Sequence, residues 1–543
     1  KGNGNQTCTY AECISYYEKL DSFFDEAKLF TYGTTSIGKP LHLLVISSDK
    51  NFDPKKIHDE GKVVLLINNG IHPGEPDGID ASMMFARDLL TKKEMKSLLN
   101  HVVICIIPVY NVSGMLNRNN TSRVNQNGPE EFGFRGTTQN YDLNRDFVKC
   151  DSREAQTFTE IFQTWKPEIF IDNHVSNGAD YQYTMTLIPT QKDKLQPILS
   201  GYQEKTLLPD LYAMMKKDSF EMTPYVNPVK EIPDSGIAAF LETPRFSTGY
   251  AALFNCIGMM PETHMLKPYD KRVWSTYALE KNVCSIVNRD PEVIRKNKQQ
   301  ADAAVSKQTL FPLEWKLDES KSEEISFKGF AAKYKKSEVS DSMRLWYDRD
   351  EPFDKPVKYF NNYDALVSVE KPYAYIIPQG WERVIERLKW NGVEMKQLSK
   401  DTLFEVNVDY IDEMKSSPVA YEGHHINSEV KIHSEKQTLQ FFKGDYVIFP
   451  NQTCNRYIVE MLESQGTDSY FVWNFFDPIL MEKEYFSDYV FEDVATELLK
   501  NDSKLREEFE QKKKSDSEFS KDPQAQLDFI YRNSPYFEKS FRR

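Results

Sequence analysis

Over its first three hundred residues the chain alternates short apolar runs with longer stretches of helical periodicity. Lys62-Val-Val-Leu-Leu-Ile67 lacks polar alternation, which predicts a strand buried on both faces. A helical period follows from Asp80 to Leu90. His101-Val-Val-Ile-Cys-Ile-Ile-Pro-Val-Tyr110 repeats the strand pattern, and Glu168-Ile-Phe-Ile-Asp172 repeats it again after a helical stretch from Ser152 to Trp165. Ahead of these, Ala11 to Phe30 reads as a helix and Phe30 to Ser47 as a hairpin. Leu195 to Lys217 and Arg272 to Lys298 read as helices, while Gly236 to Phe254 is mixed and rich in small residues. Strands alternating with helices predict an α/β fold with a parallel or mixed sheet. A polar stretch rich in Asn, Gly and Arg runs from Asn111 to Arg145; a connection that long inside a compact domain is functional or disordered.

The pattern changes near Gln299. Short β-type runs follow at Glu324 to Tyr334, Tyr359 to Val369, Ala374 to Ile377 and Thr438 to Phe449, interrupted by a helix over Gly380 to Leu388. Leu498 to Ser515 is highly charged and reads as a solvated helix. Three units are therefore expected: residues 1–298, a separate β-rich domain over 299–475, and a charged helical segment over 476–543.

Composition narrows the class. Hydrophobic residues make up 40% and charged residues 28%, ordinary for a soluble chain. The net charge of −14 argues against a nucleic-acid partner, which basic surface would attract. No apolar run is long enough for a transmembrane helix. The cysteines, Cys8, Cys13, Cys105, Cys150, Cys256, Cys284 and Cys454, form no C-x-x-C pair, so a cysteine zinc site is not expected. Cys105 and Cys256 lie in apolar runs and read as core; Cys8 and Cys13 fit either a local disulfide or an amphipathic start. The chain opens at Lys1 without a signal peptide, and N-x-S/T sites occur at Asn5, Asn111 and Asn451. The expectation drawn from both is an exported protein, periplasmic or extracellular.

The candidate chemistry starts in Ile67-Asn-Asn-Gly-Ile-His-Pro-Gly-Glu-Pro-Asp-Gly-Ile-Asp80. His72 and Glu75 sit on a strand-to-helix turn, where open α/β sheets build their sites, and their nitrogen and oxygen ligands suit zinc. Alone, the pair is equally a polar turn. His174, directly after the third buried strand, supplies a third ligand from another strand end, leaving the fourth position for water as in catalytic zinc sites. Asn144 and Arg145, in Asn140-Tyr-Asp-Leu-Asn-Arg-Asp-Phe147, offer an amide and a guanidinium that could clamp a carboxylate. Arg135 or Arg123 could face a developing oxyanion. Glu262, in Pro261-Glu-Thr-His264, is the candidate general base; Glu242, in Leu241-Glu-Thr-Pro244, has the same context and competes with it.

The segments H-P-G-E, D-L-N-R, D-N-H and P-E-T-H-M-L-K-P-Y occur in the order seen in the zinc carboxypeptidase family, and the chain resembles a bacterial member of it over roughly Tyr17 to Lys298. The resemblance implies a mixed eight-stranded sheet flanked by helices and a Zn2+ cofactor. Its ligands would be His72, Glu75 and His174. It further implies Asn144 and Arg145 on the substrate's terminal carboxylate, Glu262 as the base, and Arg135 at the oxyanion with Arg123 as rival. Tyr250 is chosen as the family's mobile tyrosine, and the specificity pocket is expected between Phe246 and Met260. The expected function is a metallocarboxypeptidase acting on peptides with a free C-terminal carboxylate. Two alternatives stand beside it: a related zinc amidohydrolase acting on cell-wall peptides or acylated amino acids, and a non-catalytic binding module on a peptidase scaffold.

Overall fold

The computed structural model describes residues 2–543. The apolar runs of the first part become a mixed sheet whose strands occupy eight positions. From one edge the order is Ala27–Tyr32, Leu41–Ile46, Val102–Ile107, Val63–Asn68, Ile169–Asp172, Ile257–His264, Met185–Pro189 and Met222–Pro224. The central strands Val102–Ile107, Val63–Asn68, Ile169–Asp172 and Ile257–His264 run parallel. Every residue of Val63–Asn68 and Val102–Ile107 is buried, as their unbroken apolar runs require when helices cover both faces. The strand Ile169–Asp172 is interrupted at Asn173 and resumes as His174–Ser176, still parallel to Ile257–His264.

That interruption is packed, not loose. The Asn173 amide donates to Asn69 Oδ1 at 2.8 Å and to Glu280 Oε1 at 3.0 Å, and Ser82 donates to the same Glu280 oxygen at 2.6 Å. The helix Asp77–Thr91 comes so close that a Cβ on Gly78 would lie 2.5 Å from the Asn173 Cβ. Glycine is required there by proximity. Burial pushes the Glu280 carboxyl up to about 8, with Ser82 and Asn173 pulling it back.

Several boundaries differ from the expectation. The first helix ends at Phe23, and Ala27–Tyr32 becomes an edge strand paired antiparallel with Leu41–Ile46. Pairing to a strand partner overrides helical periodicity there. The helix expected from Arg272 to Lys298 is two, Tyr269–Arg289 and Pro291–Lys307, divided at a proline that starts the second. The stretch 111–145 carries only the short helix Val112–Leu116 and a 3-10 turn at Leu143–Arg145. Asn111 is buried and caps that short helix by accepting from Gly114 N at 2.8 Å, so its N-x-S site is closed in the folded chain. All seven cysteines are buried free thiols, Cys8 and Cys13 included.

The later part is β-rich, as expected, but is built from long antiparallel ribbons, one strand of which, Thr402–Ser416, lies outside the expected runs. Glu323–Lys336 pairs with Met343–Phe360, and Thr402–Ser416 pairs with Asn427–Phe441. Behind them Tyr457, Tyr470, Trp473 and Phe475 belong to the same hydrophobic core as the central sheet. The last helices, Asp488–Asn501, Ser503–Ser515 and Pro523–Arg532, bury Phe491, Leu505, Phe509 and Ile530 in a core of their own, so the charged segment is not solvated all round. Among the described residues no helix is long and apolar enough to cross a membrane.

Trp473 is fully buried where the two parts meet. Trp473→Ala should therefore destabilise the protein by about 3–5 kcal/mol. A shared core predicts that the thermal midpoint of the sheet falls with it. A calorimetric trace in which the sheet's transition stays at the wild-type temperature would contradict that.

Candidate metal centre and cleft

His72 and Glu75 are brought together by a tight turn closed by Glu75 N donating to His72 O at 2.8 Å. His174 reaches them from the resumed strand across the sheet. His72, Glu75 and His174 are all buried, with one ligand atom from each lying within 4.8 Å of the others. His72 Nδ1 is 3.4 Å from Glu75 Oε1, and His174 Nδ1 is 3.3 Å from Glu75 Oε2. His72 Nδ1 is buried and makes no hydrogen bond. An orphaned imidazole nitrogen beside a second imidazole and a carboxylate fits a bound cation, and the mixed N,O donor set fits zinc.

The other ring nitrogens are held by carboxylates. His72 Nε2 lies 2.7 Å from Asp142 Oδ1, and His174 Nε2 lies 2.9 Å from Asp172 Oδ2. Such partners fix which nitrogen is free for a metal and raise its basicity. Neither aspartate was singled out from sequence, although Asp142 lies inside the D-L-N-R motif and Asp172 stands two residues before His174. A carboxylate flanking a candidate histidine was the available signal.

Electrostatics support the same grouping. Burial alone would raise the Glu75 carboxyl, but Arg123, His72 and His174 hold it well below the usual range. Burial would lower His174, yet Asp172 and Glu75 hold it well above an ordinary histidine. Asp142 is partly buried, which raises its carboxyl, but His72, Arg135 and Arg145 bring it far down.

These groups open into a cleft of about 460 Å³ lined also by Arg123, Arg135, Asn144, Arg145, Glu242 and Glu262. Glu262 stands on the strand beside His174 in direct register, and its Oε2 is buried without a partner. Burial pushes the Glu262 carboxyl up to about 8; Glu75 and Glu242 add to this, while His174 and Arg135 pull it back. Glu242 lies in the same cleft but is tied down, accepting from the Thr248 backbone at 2.9 Å and from the Thr248 hydroxyl. Both bonds fall on Glu242 Oε2 and hold that side chain in place, whereas no hydrogen bond fixes the Glu262 carboxylate.

Both arginines of the oxyanion question sit here. Arg123 Nη1 donates to Glu75 Oε1 at 2.9 Å, whereas Arg135 donates to Asp142 Oδ2 through Nε at 3.0 Å and Nη2 at 2.9 Å. Asn144 is buried with an unpartnered Oδ1, and the Arg145 guanidinium lies 4.4 Å over the Phe246 ring. Phe246 and Met260, the expected edges of the specificity pocket, both line the cleft, as do Ile188 and Phe240. Tyr250 is a correction. It is fully buried in the aromatic core, its hydroxyl donating to Asn391 Oδ1 at 2.7 Å, and it does not line the cleft. The tyrosine that does is Tyr225, which sequence reasoning missed.

The family described as "Zinc carboxypeptidase" matches residues 14–196, which carry His72, Glu75, His174, Asn144 and Arg145. The resemblance read from the motifs is thus matched by the family's model over that segment. Among curated proteins it is similar to "Carboxypeptidase 2" of Trichophyton tonsurans, 20% identical over 473 residues, 84% of this chain and 79% of the relative. "Carboxypeptidase 2" of Trichophyton rubrum is 20% identical over 434 residues, covering 75% and 73%. Among solved structures, the metallo-carboxypeptidase of Pseudomonas aeruginosa in complex with (2-guanidinoethylmercapto)succinic acid superposes with TM-score 0.40 at 14% identity, over 54% of this chain and 71% of that one. The metallo-carboxypeptidase of Burkholderia cenocepacia gives TM-score 0.39 at 14% identity, over 53% and 70%.

Asp172→Asn and Asp142→Asn should each weaken zinc binding by about 10- to 100-fold while leaving the fold intact. Chelator competition measures this; unchanged affinity in both would show that the histidines are not oriented for a metal. A second expectation concerns the metal-free protein. An acid whose folded pKa of about 8 exceeds its ordinary 4.5 binds more protons folded than unfolded, so stability is lost as pH rises between those values. Glu262→Gln should remove that part of the slope in urea titrations at stepped pH.

Proposed function

We propose that the chain is a metallocarboxypeptidase that hydrolyses C-terminal peptide bonds, with Glu262 as the proton carrier and Asn144 and Arg145 as the clamp on the substrate's terminal carboxylate. The observation that carries this reading is one cleft that presents the His72, Glu75 and His174 group, a glutamate with a free oxygen, and a guanidinium together. Zinc held by the three ligands would polarise a peptide carbonyl and acidify a water.

In this reading the chain's own groups divide the rest of the work. Glu262 accepts the proton of the attacking water and delivers it to the leaving amine. A glutamate lifted by burial is suited to that exchange, and a neighbouring cation would bring its pKa back down. Arg135, with Arg123 as rival, meets the negative charge that develops on the carbonyl oxygen. Arg145 and the Asn144 amide hold the terminal carboxylate, which would make the reaction exopeptidic. The cleft wall of Ile188, Phe240, Phe246 and Met260 is apolar and would receive the last side chain.

Glu262→Gln should retain zinc and cut kcat by about 100-fold or more, with Glu242→Gln costing far less. Arg145→Ala should lower kcat/KM on a free C-terminal peptide by roughly 10- to 100-fold, the scale of a charge-assisted hydrogen bond. The same peptide with an amidated end should be a poor substrate of the wild type and barely worse for Arg145→Ala. Equal cleavage of amidated and free peptides by the wild type would make the protein an amidohydrolase or endopeptidase instead.

A further inference from the structure

The ribbon Thr402–Ser416 and Asn427–Phe441 does not end in solvent. Its connecting segment contains a turn closed by Tyr421 N donating to His424 O at 2.8 Å and His424 N donating to Tyr421 O at 3.0 Å. That turn reaches the clamp. Arg145 Nε donates to Tyr421 Oη at 2.8 Å. The backbone N–H of Asp142, the partner of His72, donates to Glu422 Oε2 at 2.8 Å. Gly423, with φ +82, lies against the Tyr141 ring, 3.1 Å from where a Cβ would be.

The turn is itself anchored. His424 Nε2 lies 2.6 Å from Asp151 Oδ2, and Asp151 is also bound by Lys149 at 3.2 Å and Arg387 at 3.0 Å. The Tyr421 ring stacks on Trp473, and Arg245 lies over both rings while Nε donates to Asp468 at 2.7 Å. A tyrosine fixed by this many contacts holds its hydroxyl in place.

We propose that Tyr421 is a positioning residue for the reaction, so that the β-rich extension completes the carboxylate-binding end of the cleft. The argument is one of donor counting. A guanidinium has five N–H donors in a rigid fork. Arg145 commits Nε to Tyr421 and one Nη1 hydrogen to Asn144 O at 2.7 Å. What remains is the Nη1–Nη2 edge, the edge that binds a carboxylate with two parallel bonds. Without the phenol oxygen, Nε loses its protein partner and the guanidinium can rotate over the Phe246 ring, so each binding event must order it again. The inference rests on the proposed role of Arg145 as clamp.

The test uses the full-length, zinc-loaded protein and peptides with free and amidated ends. Tyr421→Phe keeps the ring and its stacking and removes only the oxygen. Its KM for the free peptide should rise by about three- to ten-fold, the range of one hydrogen bond, with kcat changed far less. Turnover of the amidated peptide should move far less than that of the free one. In an Arg145→Ala background the same change should have no further effect on KM, because the group it positions is gone. A purely structural role would instead lower thermal stability and act on both peptides alike. Wild-type KM in Tyr421→Phe, with Arg145→Ala still costing the free peptide far more than the amidated one, overturns the positioning role alone. Loss of discrimination in neither variant overturns the clamp reading and this inference with it.

Discussion

The carboxylate of Glu75 is the point on which the cleft is hung. Its two oxygens face the two histidines, and Oε2 also accepts from Val175 N at 2.8 Å, which ties the turn carrying His72 to the strand carrying His174. The two backbone segments meet through one buried negative charge. Such a charge is costly to bury unless several donors satisfy it. Arg123, Arg135 and a backbone amide do so here. At the neighbouring strand break Asn173 N still donates to Asn68 O at 3.1 Å, while the amides of Asn173 and Asn69 close the gap behind His174.

Around this point the cleft concentrates acids and bases whose affinities for protons are pulled apart. Glu75 and Asp142 are held ionised by cationic neighbours, whereas Glu262 is lifted by burial with too few of them. Carboxylates of one type thereby acquire different tasks from their surroundings: some orient ligands, and one can trade protons. Glu242 is raised by burial as well, but Thr248 occupies one of its oxygens, so environment again separates two residues that sequence context makes alike.

Much of this was legible in the chain because its causes are local. Five apolar residues in a row at Val63–Ile67 have no alternative to a doubly covered strand, and the turn His72-Pro73-Gly74-Glu75 carries its ligands within one loop. Glu262 could be named because a strand fixes which residues share its end. What escaped depends on distant partners. Tyr250 looked available from its spacing, yet its orientation is set by Asn391, 141 residues later, and by packing against Phe162 and Phe254. The strand Ala27–Tyr32 hid inside a helical pattern because only its pairing with Leu41–Ile46 decides its form. The burial of Leu505 and Phe509 in the charged tail likewise required neighbours that no window of sequence contains.

The contact between Arg145 and Tyr421 spans 276 residues. A ribosome adds about 5–20 residues per second, so the brace leaves the ribosome on the order of 15–55 s after the arginine it supports. For most of that interval, once His174 has been added, every side chain of the His72, Glu75 and His174 group is already synthesised, while the end of the cleft that would grip a peptide terminus is unfinished. The order of the chain thus separates the moment when a metal could be taken up from the moment when a substrate could be held. A newly made molecule would grip free peptide ends, its own neighbours' included, more weakly until the ribbon has folded back.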